Sequence, residues 1–361
     1  MTKHHGRSTG KPELDATIDQ FLDNLGVTED RDQLFEILAT VSHLAGDDAD
    51  RLDLKITNAA LREMRNAFHA FLPYAKQPKV TMFGSARTLP TDPLYAQAKE
   101  TAHILAEQGW MVVTGAGPGI MAAGLEGAGK EKSFGINIRL PFEQGANEFI
   151  ASDPKLVTMK YFFTRKLMLI KESDGFIVLP GGYGTLDETF ELLTLVQTGK
   201  AEPTPIVLLE VPGGRYWEEW LHFVEEVKNR GLISAADDVL FKITDSAEEA
   251  ANEILGFYRN YHSRRFVGPQ LVMRLTTAPT DDELALLNRE FAFLVADGEI
   301  ERTEPLPAEV HDNDELDRPR IKFKFDKTHH GGLRQLINTV NGFGSAPSGQ
   351  PEPRHYQEPS A

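Results

Sequence analysis

The stretch GFIVLPGGYGTLDETFELLTLVQTGK, residues 175–200, decides how this chain is expected to fold. It begins with a continuous apolar run and continues, at 180–188, with three glycines, a threonine and two acids. The remainder has apolar residues at helical spacing. Such an order is typical of a strand, a tight loop and a helix in an α/β domain. The sequence therefore predicts a strand that ends in a glycine loop and leads directly into a helix.

The same pattern of strand followed by helix repeats through the central part of the chain. Strand-like apolar runs lie at 79–85, 110–115, 134–140, 175–180, 205–211 and 239–244, with helix-like segments between them. Continuous apolar strands indicate a parallel sheet that is covered by helices on both faces. The connections between its parallel strands are expected to be right-handed crossovers. The predicted fold class is α/β, with a doubly wound, Rossmann-like parallel sheet. Ligands of such sheets bind at the carboxyl ends of the strands.

Two further zones flank the sheet domain. Apolar residues at helical spacing precede it, and the alternation of Ile321, Phe323 and Phe325 with lysines follows it. These patterns predict a helical N-terminal extension and a small C-terminal α+β appendage. The predicted boundaries are a disordered tail at 1–11, the helical extension at 12–78, the sheet domain at 79–262, the appendage at 267–343 and a second disordered tail at 344–361.

Composition and charge exclude several classes of function. The 361-residue chain has no cysteine, which rules out disulfides, thiolate metal sites and cysteine nucleophiles. Its formal net charge of −16 argues against a DNA or RNA polymer as partner. No apolar run approaches the roughly 18–20 residues of a membrane span, and residues 1–11 lack the apolar core of a signal peptide. We therefore expect a cytoplasmic protein that binds neither nucleic acid polymers nor membranes.

The glycine loop at 180–188 has the properties of a phosphate site. Gly181, Gly182 and Gly184 permit positive φ angles and allow a ligand to approach the backbone closely. The helix is expected to start near Thr185, where free N–H groups and the helix dipole favour an anion, most naturally a phosphate. No Gly-Lys-Ser/Thr sequence follows, so the loop is not a Walker A motif.

Asp187 and Glu188 lie in the first turn of the same predicted helix. Neighbouring helical residues lie about 100° apart around the axis, so at most one of the two points into the cleft. The helix dipole is expected to keep that carboxylate ionised. An ionised carboxylate suits a general base, or a group that stabilises developing positive charge, better than a general acid.

A second glycine cluster follows the strand at 110–115. Gly115, Gly117 and Gly119 resemble a dinucleotide fingerprint, but Ile120 stands where its last glycine is required. The acid expected after the next strand is also missing, since Arg139 is found there. NAD is therefore disfavoured, whereas a mononucleotide or a sugar phosphate remains compatible with the cluster.

Two more elements are expected at this edge of the sheet. The first strand ends in Gly84 and Ser85, and a helix-like segment begins near Arg165 and Lys166. Basic residues early in a helix oppose the dipole, so an anion or a carboxylate is expected to compensate them. The eleven histidines are scattered, and none has metal-ligand spacing with another in the sheet domain, so no metal is predicted.

Four motifs, FGSAR, GAGPGIM, FFTRKLML and PGGYGTLDE, occur in this order over about 110 residues. In combination they resemble the LONELY GUY family, whose hallmark is P-G-G-x-G-T-x-x-E preceded by an Arg-Lys helix. The resemblance covers about 79–261. It implies an enzyme that hydrolyses the N-glycosidic bond of AMP, or of N6-substituted adenine ribotides, to the free base and ribose 5-phosphate. It also implies a homo-oligomer, at least a dimer, and no cofactor.

The resemblance assigns roles to particular residues. Arg165 and Glu188 are the implied catalytic pair. The implied substrate-binding residues are Gly84, Ser85, Gly115, Gly117, Gly119, Glu148, Lys166, Gly181, Gly182, Tyr183, Gly184, Thr185, Asp187 and Thr194. Many short members have a GGG sequence followed by GLMG, where this chain has GAG followed by PGIMAAG, and many have Glu at the position of Asp187. The preferred base is therefore left open.

Other functions share parts of this pattern. A nucleotide sensor without turnover would use the same cleft, but it has no need of a carboxylate at the ribose. Phosphoribosyl transfer to an acceptor other than water would share the chemistry and depend on the acceptor. The family was long described as lysine decarboxylases, yet a pyridoxal-phosphate enzyme needs a Schiff-base lysine and an acid facing the pyridinium nitrogen. Lys166 is the one lysine expected in the cleft, and Glu188 lies too close to the phosphate loop for the second role.

Overall fold

The computed structural model describes residues 8–140 and 145–347. The chain forms two compact units, Met1–Glu63 and Met64–Ala361. In the first unit, helices α1 (Pro12–Asn24) and α2 (Arg31–Gly46) pack around Leu22, Phe35 and Ala39. A third helix, α3, spans Arg51–Phe71. Within the described residues, no helix is long and apolar enough to cross a membrane.

A seven-stranded parallel sheet forms the centre of the second unit. The strand order is β4-β3-β2-β1-β5-β6-β7. β1 pairs with β2 on one side and with β5 on the other. The strand order runs outward from β1 to β4 on one side and from β5 to β7 on the other, so the topological switch point lies between β1 and β5. The strands are β1 (Lys79–Phe83), β2 (Met111–Thr114), β3 (Ser133–Ile138), β4 (Leu156–Met159), β5 (Gly175–Val178), β6 (Ile206–Leu209) and β7 (Lys242–Thr244).

Helices cover both faces of this sheet. On one face, α4 (Pro93–Glu107), α5 (Ile120–Lys132) and α9 (Ala247–Gly256) pack on apolar strand residues. The other face is covered by α6 (Phe162–Lys171), α7 (Tyr183–Gln197) and α8 (Tyr216–Asn229). β1, β2, β5 and β6 are buried at every residue, as expected for strands between two helical layers. The doubly wound α/β fold predicted from the sequence is confirmed.

The C-terminal region forms a four-stranded antiparallel sheet in the order β10-β11-β9-β8. Its strands are β8 (Tyr261–Val267), β9 (Gln270–Leu275), β10 (Val295–Thr303) and β11 (Arg320–Phe325). Its helices are α10 (Asp281–Glu290), α11 (Pro307–His311) and α12 (His330–Gly342). Met273 and Ile321 join the same apolar cluster as Ile254 of α9, so this sheet and the parallel-sheet region share one core. This antiparallel sheet with its helices confirms that the predicted C-terminal appendage has an α+β fold.

Some elements differ from the sequence-based predictions. β4 was not predicted, because it is an edge strand in which buried Val157 and Met159 alternate with less buried residues, so it lacks the continuous apolar run of the central strands. β8 begins at Tyr261, inside the predicted sheet domain, and it was missed because residues 261–267 carry polar and basic side chains. In the appendage, α10 ends at Glu290, and β10 begins at Val295, where it pairs with β11.

Parts of the two predicted tails make defined contacts. The Thr9 hydroxyl donates to Asp15 Oδ1 at 2.7 Å, next to the first turn of α1. The Ser345 hydroxyl donates to Glu283 Oε2 at 2.7 Å. The rest of the tails, 1–7 and 348–361, lies outside the described residues. The division of the chain into the five predicted segments stays a prediction.

Candidate active site

A cavity of about 790 Å³ opens at the carboxyl ends of β1 and β5, at the switch point of the parallel sheet. Its volume is within the range of small-molecule sites. Twelve of the residues predicted from the sequence line it, namely Gly84, Ser85, Gly115, Arg165, Lys166, Gly181, Gly182, Tyr183, Gly184, Thr185, Asp187 and Glu188. Four loops or helix ends that are distant in the sequence thus meet at one edge of the sheet.

Four predicted residues do not line this cavity. Gly117 and Gly119 lie behind it, in the loop that leads into α5, and Gly119 is the residue before that helix. Glu148 is exposed in the segment after β3. Thr194 lies two turns further along α7 than Thr185, and its hydroxyl donates to the carbonyl of Phe190 at 2.7 Å. The structure gives these four no place in the cavity wall.

Several lining residues were not in the predicted set. Phe162 and Met121 belong to α6 and α5, and they add apolar surface to the wall. Arg87 follows Ser85 and adds an exposed cation. Tyr216, the first residue of α8, reaches the cavity from the loop after β6. Its segment, RYWEEW, has the pattern of a helix start, and no local signal pointed to a site.

The glycine loop leads into α7 through Gly182, and the helix begins at Tyr183, two residues earlier than predicted. The N–H of Leu186 is the first to bond back, to the carbonyl of Gly182, so the preceding N–H groups have no partner within the helix. These N–H groups and the helix dipole favour an anion at this wall of the cavity.

The glycines of this loop do not use the positive φ angles that they permit. Neither Gly181, Gly182 nor Gly184 has a positive φ angle. The need for glycine is steric instead: a Cβ on Gly181 would lie 2.2 Å from Thr185 Oγ1. At Gly182 and Gly184 a Cβ would meet no atom within 4 Å. The backbone at the helix start is therefore not covered by side chains at these two positions.

Backbone hydrogen bonds connect the loops after β1, β2 and β5. The N–H of Ser85 donates to the carbonyl of Pro180 at 3.2 Å, and the N–H of Ile120 donates to the carbonyl of Ser85 at 3.0 Å. Gly119 has a φ angle of 68°, and a Cβ there would lie 2.3 Å from the Ser85 carbonyl oxygen. The glycine at 119 therefore permits the close packing of two loops rather than ligand contact.

Arg165 projects from α6 toward the loop after β2. A Cβ on Gly115 would lie 2.0 Å from Arg165 Nη2, so the bare glycine leaves the space that the guanidinium occupies. The positive charge of Arg165 also acts on the Glu188 carboxyl group and lowers its pKa. The two residues that the sequence selected as a catalytic pair are therefore electrostatic neighbours.

Glu188 has a perturbed pKa. Burial of its carboxyl group raises the pKa to about 7, although Arg165 and Lys166 pull in the opposite direction. Part of the residue still reaches the cavity. Burial therefore opposes the ionisation that the helix dipole was expected to favour, and it outweighs the nearby cations. A carboxyl group with a pKa near 7 is suited to proton transfer at neutral pH.

Lys166 is held by acids of the neighbouring helix. Its Nζ lies 2.8 Å from Asp187 Oδ2 and also contacts the carboxylate of Glu191. Burial disfavours the charged ammonium, but the two carboxylates outweigh it and raise the pKa of Lys166. A lysine held as a paired cation is a poor Schiff-base nucleophile. Asp187, in turn, is engaged by Lys166 rather than directed at the cavity centre.

Comparison with known proteins identifies the family of the sheet region. Residues 118–254 match a family model described as "Possible lysine decarboxylase". Over 100 residues the chain is 37% identical to a protein of Oryza sativa subsp. japonica named as a probable cytokinin riboside 5′-monophosphate phosphoribohydrolase. Over 90 residues it is 38% identical to an Arabidopsis thaliana protein named as a cytokinin riboside 5′-monophosphate phosphoribohydrolase. The central α/β domain is thus similar in sequence to the LONELY GUY family. The resemblance drawn from its four motifs is confirmed.

The similarity of the central domain to these proteins is partial in extent. The matches cover 28% of this chain and 46% of the Oryza protein, and 25% of this chain and 41% of the Arabidopsis protein. The chain thus spans less than half the length of these relatives. Among solved structures, a molybdenum cofactor binding protein from Rippkaea orientalis aligns with 48% of this chain and 91% of its own, at 20% identity and a TM-score of 0.35.

Proposed function

We propose that the protein hydrolyses the N-glycosidic bond of nucleoside 5′-monophosphates, AMP or N6-substituted adenine ribotides, to the free base and ribose 5-phosphate. The observation that carries the proposal is Glu188, whose pKa is raised to about 7 beside Arg165 and one helical turn from the anion-binding start of α7. The names of the LONELY GUY relatives support the same reaction.

The glycine loop and the start of α7 are proposed to bind the 5′-phosphate. N–H groups at 182–185 and the helix dipole favour an anion, and Arg165 adds a cation on the facing wall. This group lies away from the bond that breaks. Its binding energy therefore positions the ribose without being altered by the reaction.

Glu188 is proposed to act at the other end of the ribose. Cleavage of a ribosyl C–N bond develops positive charge on the ring, as in glycoside hydrolysis. An ionised Glu188 would stabilise that charge and accept a proton from the attacking water. The water oxygen then bonds to C1′, the base leaves with the electron pair of the C–N bond, and the proton that Glu188 took from the water passes to the base. Arg165 would hold either Glu188 or the substrate phosphate in position for the reaction.

The reaction is tested directly with AMP. Purified protein and AMP, without metal or cofactor, are expected to give equal amounts of adenine and ribose 5-phosphate, separated by chromatography. Binding of AMP without release of adenine would contradict hydrolysis and favour a nucleotide sensor. Release that requires an added acceptor would favour phosphoribosyl transfer. A series of purine and pyrimidine monophosphates would then rank the bases.

The rate of hydrolysis is expected to depend on the ionisation of Glu188. Because the reaction requires the carboxylate and its pKa is raised to about 7, kcat/KM should rise about tenfold per unit below that pH and level off above it. The substrate phosphate also titrates, with a second pKa of about 6, so ribose 5-phosphate binding is measured over the same range as a control. A profile already level at pH 5.5 would contradict this assignment.

We also propose that the protein is a homo-oligomer. Phe162, Phe163 and Leu167 of α6 are about half-exposed beside the cavity, and a second subunit would cover them. The mass of the protein in solution, measured by light scattering, tests this.

A cytoplasmic location stays a prediction. For the proposed substrate no further partner is required, and a site free of metal and cofactor is likewise a prediction from the sequence.

A further inference from the structure

We infer that Tyr216 is a positioning residue of the anion site, whose hydroxyl holds the peptide between Gly181 and Gly182 in the orientation that binds phosphate. The identity of the anion rests on the proposed function. The hydroxyl of Tyr216 donates to the Gly181 carbonyl oxygen at 2.8 Å, across 35 positions of sequence. The same side chain lines the cavity. The loop after β6 therefore reaches the phosphate loop after β5 and contacts it at one peptide.

This peptide needs an external restraint. The carbonyl of Gly181 and the N–H of Gly182 belong to one planar trans unit, so they point in opposite directions. A glycine on each side imposes few steric limits on rotation of that unit. If it rotated, a carbonyl oxygen would replace an N–H group beside the bound anion. The hydrogen bond from Tyr216 fixes the carbonyl and, with it, the direction of the Gly182 N–H.

The preceding peptide is held in a similar way. The carbonyl of Pro180 accepts the N–H of Ser85 at 3.2 Å. Two successive carbonyls of the loop are thus bound by groups from two other segments, one after β1 and one after β6. The glycine loop has its shape because of these contacts, since its own residues allow many conformations.

Tyr216 is itself held in place. The buried carboxylate of Glu210 accepts the N–H of Tyr216 and the N–H of Val211, each at 3.0 Å. A Cβ on Gly214 would lie 2.3 Å from the carboxyl carbon of Glu210, so the loop closes tightly around this group. The Tyr216 ring also packs edge-on against Trp217 at 4.8 Å between centroids. The backbone N–H and the ring of Tyr216 are therefore both held, and its hydroxyl points toward the glycine loop.

The substitution Tyr216→Phe removes the hydroxyl and leaves the ring. The dissociation constant of ribose 5-phosphate, measured by calorimetry, and that of AMP, measured before turnover by rapid mixing, are expected to rise about tenfold, as for loss of one hydrogen bond that orients a site. We expect kcat for AMP to change less than about threefold, since the hydroxyl does not act at the reacting bond. Binding of adenosine, which has no phosphate, is expected to stay unchanged.

Tyr258→Phe is the matched control. The Tyr258 hydroxyl donates to the backbone carbonyl of Asp174 at 2.6 Å, away from the cavity. Its loss is expected to leave both dissociation constants unchanged. Unchanged ribose 5-phosphate binding in Tyr216→Phe would overturn the inference, and so would an equal loss of adenosine binding, which would indicate general distortion. If the protein binds AMP without releasing adenine, the proposed reaction fails, while the comparison of dissociation constants still tests Tyr216.

Discussion

Glu188→Gln is expected to lower kcat for AMP hydrolysis by about 1000-fold, while the dissociation constant of AMP changes less than about threefold. Glutamine has the size of glutamate but carries no charge and accepts no proton from water. The phosphate loop at 181–185 is untouched by the change. Single-turnover release of adenine and calorimetric binding of AMP measure the two effects separately.

The neighbouring acid provides the comparison. Asp187 lies in the same turn, but its carboxylate is 65% exposed and pairs with Lys166. Asp187→Asn is therefore expected to lower kcat less than about tenfold, in keeping with the small value of exposed ion pairs. Equal losses of kcat in Glu188→Gln and Asp187→Asn would contradict the assignment of the catalytic role to Glu188 rather than Asp187. Loss of AMP binding in Glu188→Gln would instead make Glu188 a structural residue.

The second large effect is expected from a residue that carries no functional group. Gly115→Ala places a methyl group where the Arg165 guanidinium lies, with Cβ 2.0 Å from Nη2. The end of an arginine side chain moves at little cost, so the fold should survive while Arg165 is displaced. We expect kcat/KM for AMP to fall about 100-fold, close to the loss caused by Arg165→Ala.

A double-mutant cycle decides whether Gly115 acts through Arg165. In the variant that combines Gly115→Ala with Arg165→Ala, the second change should add little to the first, because both remove the same contact. Gly256→Ala is the control, since a Cβ at Gly256 meets no atom within 4 Å. Fully additive losses would show that Gly115 acts independently of Arg165. Undiminished activity in Gly115→Ala would contradict the placement of the guanidinium.

Local sequence was sufficient for the parts of the site that lie at strand ends. An apolar run followed by glycines and a helical pattern predicted the loop at 181–185 and the start of α7, because each of these features depends on neighbouring residues. The turn at Gly84 and Ser85 follows the same rule. The roles of Arg165 and Glu188, by contrast, came from the family resemblance, since charges near a helix start have no unique meaning by themselves.

Local reasoning failed where distant segments meet. The family resemblance implied that all three glycines at 115–119 bind the substrate, yet Gly119 packs on the Ser85 carbonyl, a contact that no local pattern reveals. Tyr216 escaped prediction because its hydroxyl reaches Gly181 only once β6 has paired with β5. The dipole argument for an ionised Glu188 did not include burial, which raises the pKa of its carboxyl group to about 7.

The sequence by itself determined the doubly wound sheet, the edge at which the ligand site lies and the glycine loop at the start of α7. These follow from periodicity and from residues that are adjacent along the chain. Only the tertiary structure decided that Gly115 makes room for Arg165, that Tyr216 holds the Gly181 carbonyl, and that the pKa of Glu188 is about 7. Steric fit, hydrogen bonding across the fold and desolvation depend on atoms that are close in space and far apart in sequence.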